Sequence, residues 1–127
     1  MRVKLAILKR RADFLRVAAA RLRAATPGLI VQAAPGPAGG VVRVGFTATR
    51  KLGGAVIRNR AKRRLRAVAG EVLAERARPG TDYVLIARRE TAERPYPGLV
   101  ADLETALRRL GRIPRLASGA TAEKESP

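Results

Sequence analysis

The chain has no cysteine and no histidine. That excludes disulfide cross-links, thiolate nucleophiles, zinc sites built on Cys or His, and imidazole acid–base catalysis. Aromatic residues are confined to Phe14, Phe46, Tyr83 and Tyr96, so the core has to be filled by Val, Leu, Ile and Ala. Acidic residues are scarce as well: Asp and Glu total 10, and Glu71, Glu75 and Asp82 have no second carboxylate at a spacing diagnostic of metal binding or general acid–base work. No catalytic residue is assigned. No apolar run reaches the length of a membrane span, and residues 1–8 lack the apolar stretch and cleavage signal of a secretory peptide. A soluble, cytoplasmic protein without a membrane partner is expected.

What the chain has in excess is positive charge. Lys and Arg total 27 against those 10 acids, a formal net charge of +17 on 127 residues. Packing that charge into one small domain costs self-repulsion, which a polyanionic partner relieves through counterion release. Hydrophobic residues make up 46% of the chain, enough for one core. The expected domain is 1–114. Residues 115–127 are small, polar and mixed in charge, and read as a disordered tail.

Periodicity divides the domain further. Residues 1–8 read as a basic arm. A helix is expected over 11–24, with Ala12, Leu15, Ala19 and Leu22 as its apolar stripe and Thr26-Pro27-Gly28 as its stop. Leu29–Ala34 and Val41–Thr49 read as strands, expected to pair with each other antiparallel. Another short strand near Ala24–Pro27 is possible. A helix follows from Ile57 or Asn59 to Arg76, with Ile57, Ala61, Leu65, Val68 and Val72 on one face and Asn59 as a candidate cap. Asp82–Arg88 reads as a strand, residues 90–98 as an irregular link, and Leu99–Leu110 as a closing helix. The order αβββαβα implies an α+β fold, with helices over one face of a four-stranded mixed sheet.

Residues 50–66, RKLGGAVIRNRAKRRLR, carry basic side chains and no acid. At about 100° per residue, Arg58, Lys62 and Arg66 line up beside the apolar stripe, and Arg60, Arg63 and Arg64 continue around the exposed side. A solvated helix face normally mixes signs at i,i+4 spacing. This one repels itself, and its cations also oppose the helix dipole at the N-terminal end. The pattern calls for an anion, and the Arg forks suit phosphate. Phe14 and Phe46 read either as core residues or as base-stacking ones, and Phe46 alternates with the apolar strand positions.

The motif Arg58-Asn59-Arg60 with Lys62, Arg63 and Arg66, set after Lys51-Leu52-Gly53-Gly54-Ala55-Val56-Ile57, resembles the signature of the bacterial ribonuclease P protein family. The stretches Leu8–Val17, with Asp13-Phe14, and Asp82–Arg88 are similar to that family's first helix and late strand. The resemblance implies a small α–β sandwich like a ribosomal-protein domain. A left-handed βαβ crossover would join the strands near 41–49 and 82–88, where general rules favour a right-handed one. It implies an accessory role in removing the 5′ leader of precursor tRNA, with the catalytic centre and its Mg2+ carried by an RNA subunit. It further implies that Arg50, Lys51, Arg58, Asn59, Arg60, Lys62, Arg63 and Arg66 meet the catalytic RNA. Arg11, Phe14, Phe46 and Lys51 would line the cleft for the leader. Many relatives have a second aromatic one helical turn after Phe14, where this chain has Ala18. No obligate protein partner is expected.

Three other readings share the composition. One is a ribosomal or other structural RNA-binding protein. Another is a DNA-binding module, against which the strand and glycine turn before the basic helix count. The last is a free-standing nuclease, for which the chain offers no acidic metal cluster.

Overall fold

The computed structural model describes residues 3–37 and 40–112. A sheet of five strands, β1 (Leu5–Ile7), β2 (Leu22–Thr26), β3 (Leu29–Pro35), β4 (Val42–Thr47) and β5 (Thr81–Ala87), is ordered β1-β4-β5-β3-β2. β4 runs parallel to both β1 and β5, whereas β3 runs antiparallel to β5 and to β2. The helices are α1 (Arg11–Ala19), α2 (Ala55–Val68) and α4 (Tyr96–Gly111). A π-helical turn over Ala69–Leu73 and a last turn α3 (Ala74–Arg76) prolong α2.

The α+β class and the mixed sheet agree with expectation, but the sheet has five strands rather than four, and β3 does not pair with β4. β5 lies between them, with Val31 opposite Leu85 on one side and Phe46 opposite Leu85 on the other. Its residues are buried on both faces, and a strand apolar on both faces belongs in the middle of a covered sheet. The fifth strand is β1, three residues of the expected basic arm, which hydrogen-bond along the edge of β4.

The first helix is shorter than its pattern suggests. It ends at Ala19, and Arg21 turns the chain with a φ of 60°. Leu22, Ala24 and Thr26 then alternate inward along β2. Pairing with β3 overrides the helix preference of this Ala- and Arg-rich stretch. The expected stripe is also rotated: Leu15 is 56% exposed, and Val17 is the buried residue of α1.

The expectation that all helices share one face does not hold. Leu29, Val31, Val44 and Leu85 pack with Leu65 and Val68 of α2 and with Leu99, Leu103 and Leu110 of α4 in the main core. On the other face, Val17 of α1 packs with Leu8, Ala34 and Val84, flanked by Phe14 and Ile86. The sheet is thus covered by α2 and α4 on one side and partly by α1 on the other. α4 begins at Tyr96, earlier than expected, because Pro97 fits the first turn, where its missing N–H costs nothing. The tail 115–127 lies outside the described residues.

Candidate nucleic-acid interface

The basic helix is aimed by the turn before it. Arg50–Leu52 form a short 3-10 turn, and Gly53 adopts a φ of 139°, which L side chains rarely take. Gly54 is extended and occupies the N-cap, so α2 starts at Ala55 and Asn59 is not the cap but an exposed position within the helix. No side chain caps this end, and its first turn holds no acidic residue. Ala61, Leu65 and Val68 face the sheet as expected, whereas Ile57 is 46% exposed.

With that face fixed, the cations of α2 separate into two flanks. Arg58, Lys62 and Arg66 lie on one. The Arg66 guanidinium sits 5.9 Å from the centroid of the Phe46 ring, within cation–π range. Arg58 is half-buried, and its Nε is buried with no hydrogen-bond partner among the described residues. Arg60 and Arg64 lie on the other flank and face the segment after β5. Arg60 Nε donates to the carbonyl of Ala92 at 2.9 Å, Arg64 Nη1 donates to the same oxygen at 2.8 Å, and Arg64 Nη2 donates to the carbonyl of Arg94. Asn59 and Arg63 are exposed between the flanks, and Arg50 and Lys51 are exposed on the preceding turn. Among the described residues, no ion pair involves Arg58, Lys62 or Arg66. Arg60 and Arg64, expected on a freely solvated side, are partly committed to holding the 90–94 segment.

The α1 side of the sheet carries a different charge arrangement. The Asp82 side chain is fully buried. It accepts hydrogen bonds from Arg43 Nε at 2.9 Å, from Arg43 Nη2 at 2.6 Å and from Arg16 Nη2. Asp13 lies 3.6 Å from Arg43 and 3.7 Å from Arg16. The hydrogen bonds that Arg43 donates to Asp82 hold its guanidinium protonated above its ordinary range, against the opposing effect of burial. Sequence spacing assigned Asp82 no partner. Arg43 and Asp82 are register partners across parallel strands, so their contact becomes visible only once the strand order is known. Both Asp82 oxygens accept hydrogen bonds from guanidinium groups, so this carboxylate is committed to the ion-pair cluster. Among the described residues there is no group of three or more His, Cys, Asp or Glu able to hold a metal ion.

The four residues expected in a leader cleft are not all brought together. Arg11 is exposed in the first turn of α1, and Phe14 on the same helix is half-buried against β4. A Cβ at Gly45 would come within 2.5 Å of the Phe14 ring, so this strand position accepts glycine alone without rearrangement. Phe46 is the next residue of β4, and alternation puts it on the opposite face, beside α2. Lys51 is exposed on the turn leading into α2, and Ala18 is exposed on α1.

A family model described as Ribonuclease P matches residues 3–111. The ribonuclease P protein component of Paramagnetospirillum magneticum is 47% identical over 131 residues, covering 100% of this chain and 98% of that protein. The one from Ruegeria pomeroyi is 51% identical over 109 residues, covering 84% of this chain and 86% of that protein. Among solved structures, the RNase P protein of Staphylococcus aureus matches with a TM-score of 0.69 at 25% identity, over 84% of this chain and 95% of that one. The RNase P protein from Thermotoga maritima matches with a TM-score of 0.67 at 25% identity, over 84% and 96%. The shared sheet and the match across the basic helix lead to one assignment: this chain belongs to the ribonuclease P protein family.

Proposed function

We propose that this chain meets the catalytic RNA through α2 and the turn before it, and meets the 5′ leader of precursor tRNA through α1 and the adjoining open part of the sheet. As the non-catalytic subunit of the ribonucleoprotein, it contributes positioning and charge. Arg58, Lys62, Arg66, Arg63, Asn59, Arg50 and Lys51 are assigned to the catalytic RNA. Arg60 and Arg64 divide their donors between that RNA and the 90–94 segment. Arg11 and Phe14 are assigned to the leader, and the assignment of Lys51 to it rests on the family resemblance. Phe46 supports Arg66 on the other face instead of lining the leader path. The left-handed sense of the β4–α2–β5 crossover belongs to the same reading and rests on the family resemblance.

In this reading the phosphates of the RNA subunit would hold Mg2+, which would supply metal-activated water for hydrolysis of the phosphodiester to a 5′-phosphate on the tRNA and a 3′-hydroxyl on the leader. The protein's own cations offset the repulsion between two polyanions and so hold substrate and RNA together. No helix among the described residues is long and apolar enough to cross a membrane, in keeping with the cytoplasmic setting of the reading.

The observation that carries this assignment is the flank of Arg58, Lys62 and Arg66, which no carboxylate among the described residues neutralises. The test is reconstitution with the organism's catalytic RNA at low Mg2+, using precursor tRNA with and without its leader. Added protein should accelerate cleavage and should favour the leader-bearing RNA in binding. Equal affinity for leaderless RNA would remove the leader assignment, and no stimulation at any Mg2+ concentration would remove the whole reading.

A further inference from the structure

The outward face of α2 carries an apolar residue that the fold does not use. Val56 is 82% exposed, more than any other large hydrophobic residue among the described ones. It is β-branched, a poor choice for a solvated helix position, and it does not join the core. Helical geometry, at about 100° per residue, puts Val56, Asn59 and Arg63 on one outward strip. Asn59 is exposed, and its amide makes no hydrogen bond among the described residues. Beside them Ile57 leans on Gly53, where a Cβ would lie 3.1 Å from Ile57 Cδ1, and Gly54 has nothing within 4 Å of its own Cβ position. The result is a small, low, apolar step at the start of the helix, with Arg60 and Arg63 following it on the same side of α2 and Arg50 and Lys51 on the turn before it.

Residues 50–66 contain cations and no acid, so the charge around this step favours an anionic occupant. A phosphate gains nothing from an isopropyl group, whereas the face of a nucleobase does. The Asn59 amide offers one donor side and one acceptor side, the pairing that a base edge presents. The base has to be unpaired, because a stacked A-form duplex hides its base faces and keeps its major-groove edges out of reach.

We propose that Val56 and Asn59 form a subsite for one unpaired nucleotide of the catalytic RNA, with Val56 against the base, Asn59 at its edge and Arg63 beside its phosphate. The inference rests on the assignment of α2 to that RNA and adds base recognition to a surface otherwise read as phosphate-binding.

The experiment measures binding of the full chain to the catalytic RNA across a salt series, with chemical probing of the RNA at nucleotide resolution. Val56→Ala should weaken binding roughly fivefold to fifteenfold, the loss of up to two buried methyl groups. The slope against salt should not change, because no phosphate contact is lost. Val56→Ile should bind like the parent, and Asn59→Ala should weaken binding in the manner of Val56→Ala. A base shielded by the parent protein should become reactive with Val56→Ala. Alanine favours the helix, and a thermal melt of each variant checks that it is folded. Unchanged affinity for Val56→Ala, a changed salt slope, or an unaltered set of shielded bases would each overturn the subsite while leaving RNA binding by α2 in place. Failure of the parent chain to bind the catalytic RNA would overturn both.

Discussion

The two flanks of α2 should respond differently to removal of charge. Replacing Arg58, Lys62 and Arg66 together with alanine deletes three cations whose side chains donate no hydrogen bond among the described residues. The structural loss is the Arg66–Phe46 contact, worth about 0.5–1 kcal/mol at an exposed site. If each cation meets a phosphate, the slope of log K against log salt should become shallower by roughly two to three. Replacing Arg60 and Arg64 instead deletes the three hydrogen bonds to the carbonyls of Ala92 and Arg94. Charge-assisted bonds lie at the upper end of hydrogen-bond contributions. Part of this loss is recovered by water at a half-exposed site, so the pair should cost about 2–3 kcal/mol. In a domain of this size that lowers Tm by roughly 8–20 °C. Binding across a salt series and thermal melts on the same samples separate the two effects. Equal slope changes from both sets, or an equal fall in Tm, would refute the division of labour.

Asp82→Ala should destabilise the fold by about 3 kcal/mol, the low end for breaking a buried ion pair, because Arg16 and Arg43 keep 41% and 23% side-chain exposure and can rehydrate. Urea unfolding measures this, and a loss below about 1 kcal/mol would mean that the cluster is not stabilising. Gly45→Ala should cost about 1–3 kcal/mol through collision with Phe14. Combining it with Phe14→Ala should cost less than the two changes summed, and strict additivity would show that the ring is not seated there. Burial raises the Tyr83 hydroxyl above its ordinary value of 10.0, partly opposed by the hydrogen bond from the Arg78 N–H. The unfolded chain therefore ionises first: the contribution is complete below pH 10.0 and is lost as pH rises through the folded value. Tyr83→Phe should flatten that alkaline loss, and an unchanged pH–stability curve would contradict the burial effect.

Residue by residue, the helix from Ile57 or Asn59 to Arg76 was legible because Ala61, Leu65, Val68 and Val72 repeat at helical spacing and are buried, although it begins at Ala55 and leaves Ile57 exposed. The same periodicity marked strands over Val41–Thr49 and Asp82–Arg88, which fold as Val42–Thr47 and Thr81–Ala87, and the inward face of α4. It failed between Ala19 and Thr26, where Ala and Arg suit a helix and only pairing with β3 draws Leu22, Ala24 and Thr26 into a strand. It also failed at Leu5–Ile7, a strand too short to show a period, which forms by pairing with the β4 edge and by packing Leu5 against the main core.

The amino-acid sequence by itself determined the excess of positive charge and the helix that concentrates it. Net charge and helical periodicity are local properties, which survive whatever the rest of the chain does. Tertiary structure alone decided that β5 separates β3 from β4, that α1 and Phe14 lie across the sheet from Phe46, and that Asp82 finds Arg43 and Arg16. It also decided which cations of α2 bind carbonyls of the 90–94 segment and which donate no hydrogen bond among the described residues. Each of these depends on which residues distant along the chain become neighbours, and burial of apolar surface on both faces of β5 makes that choice.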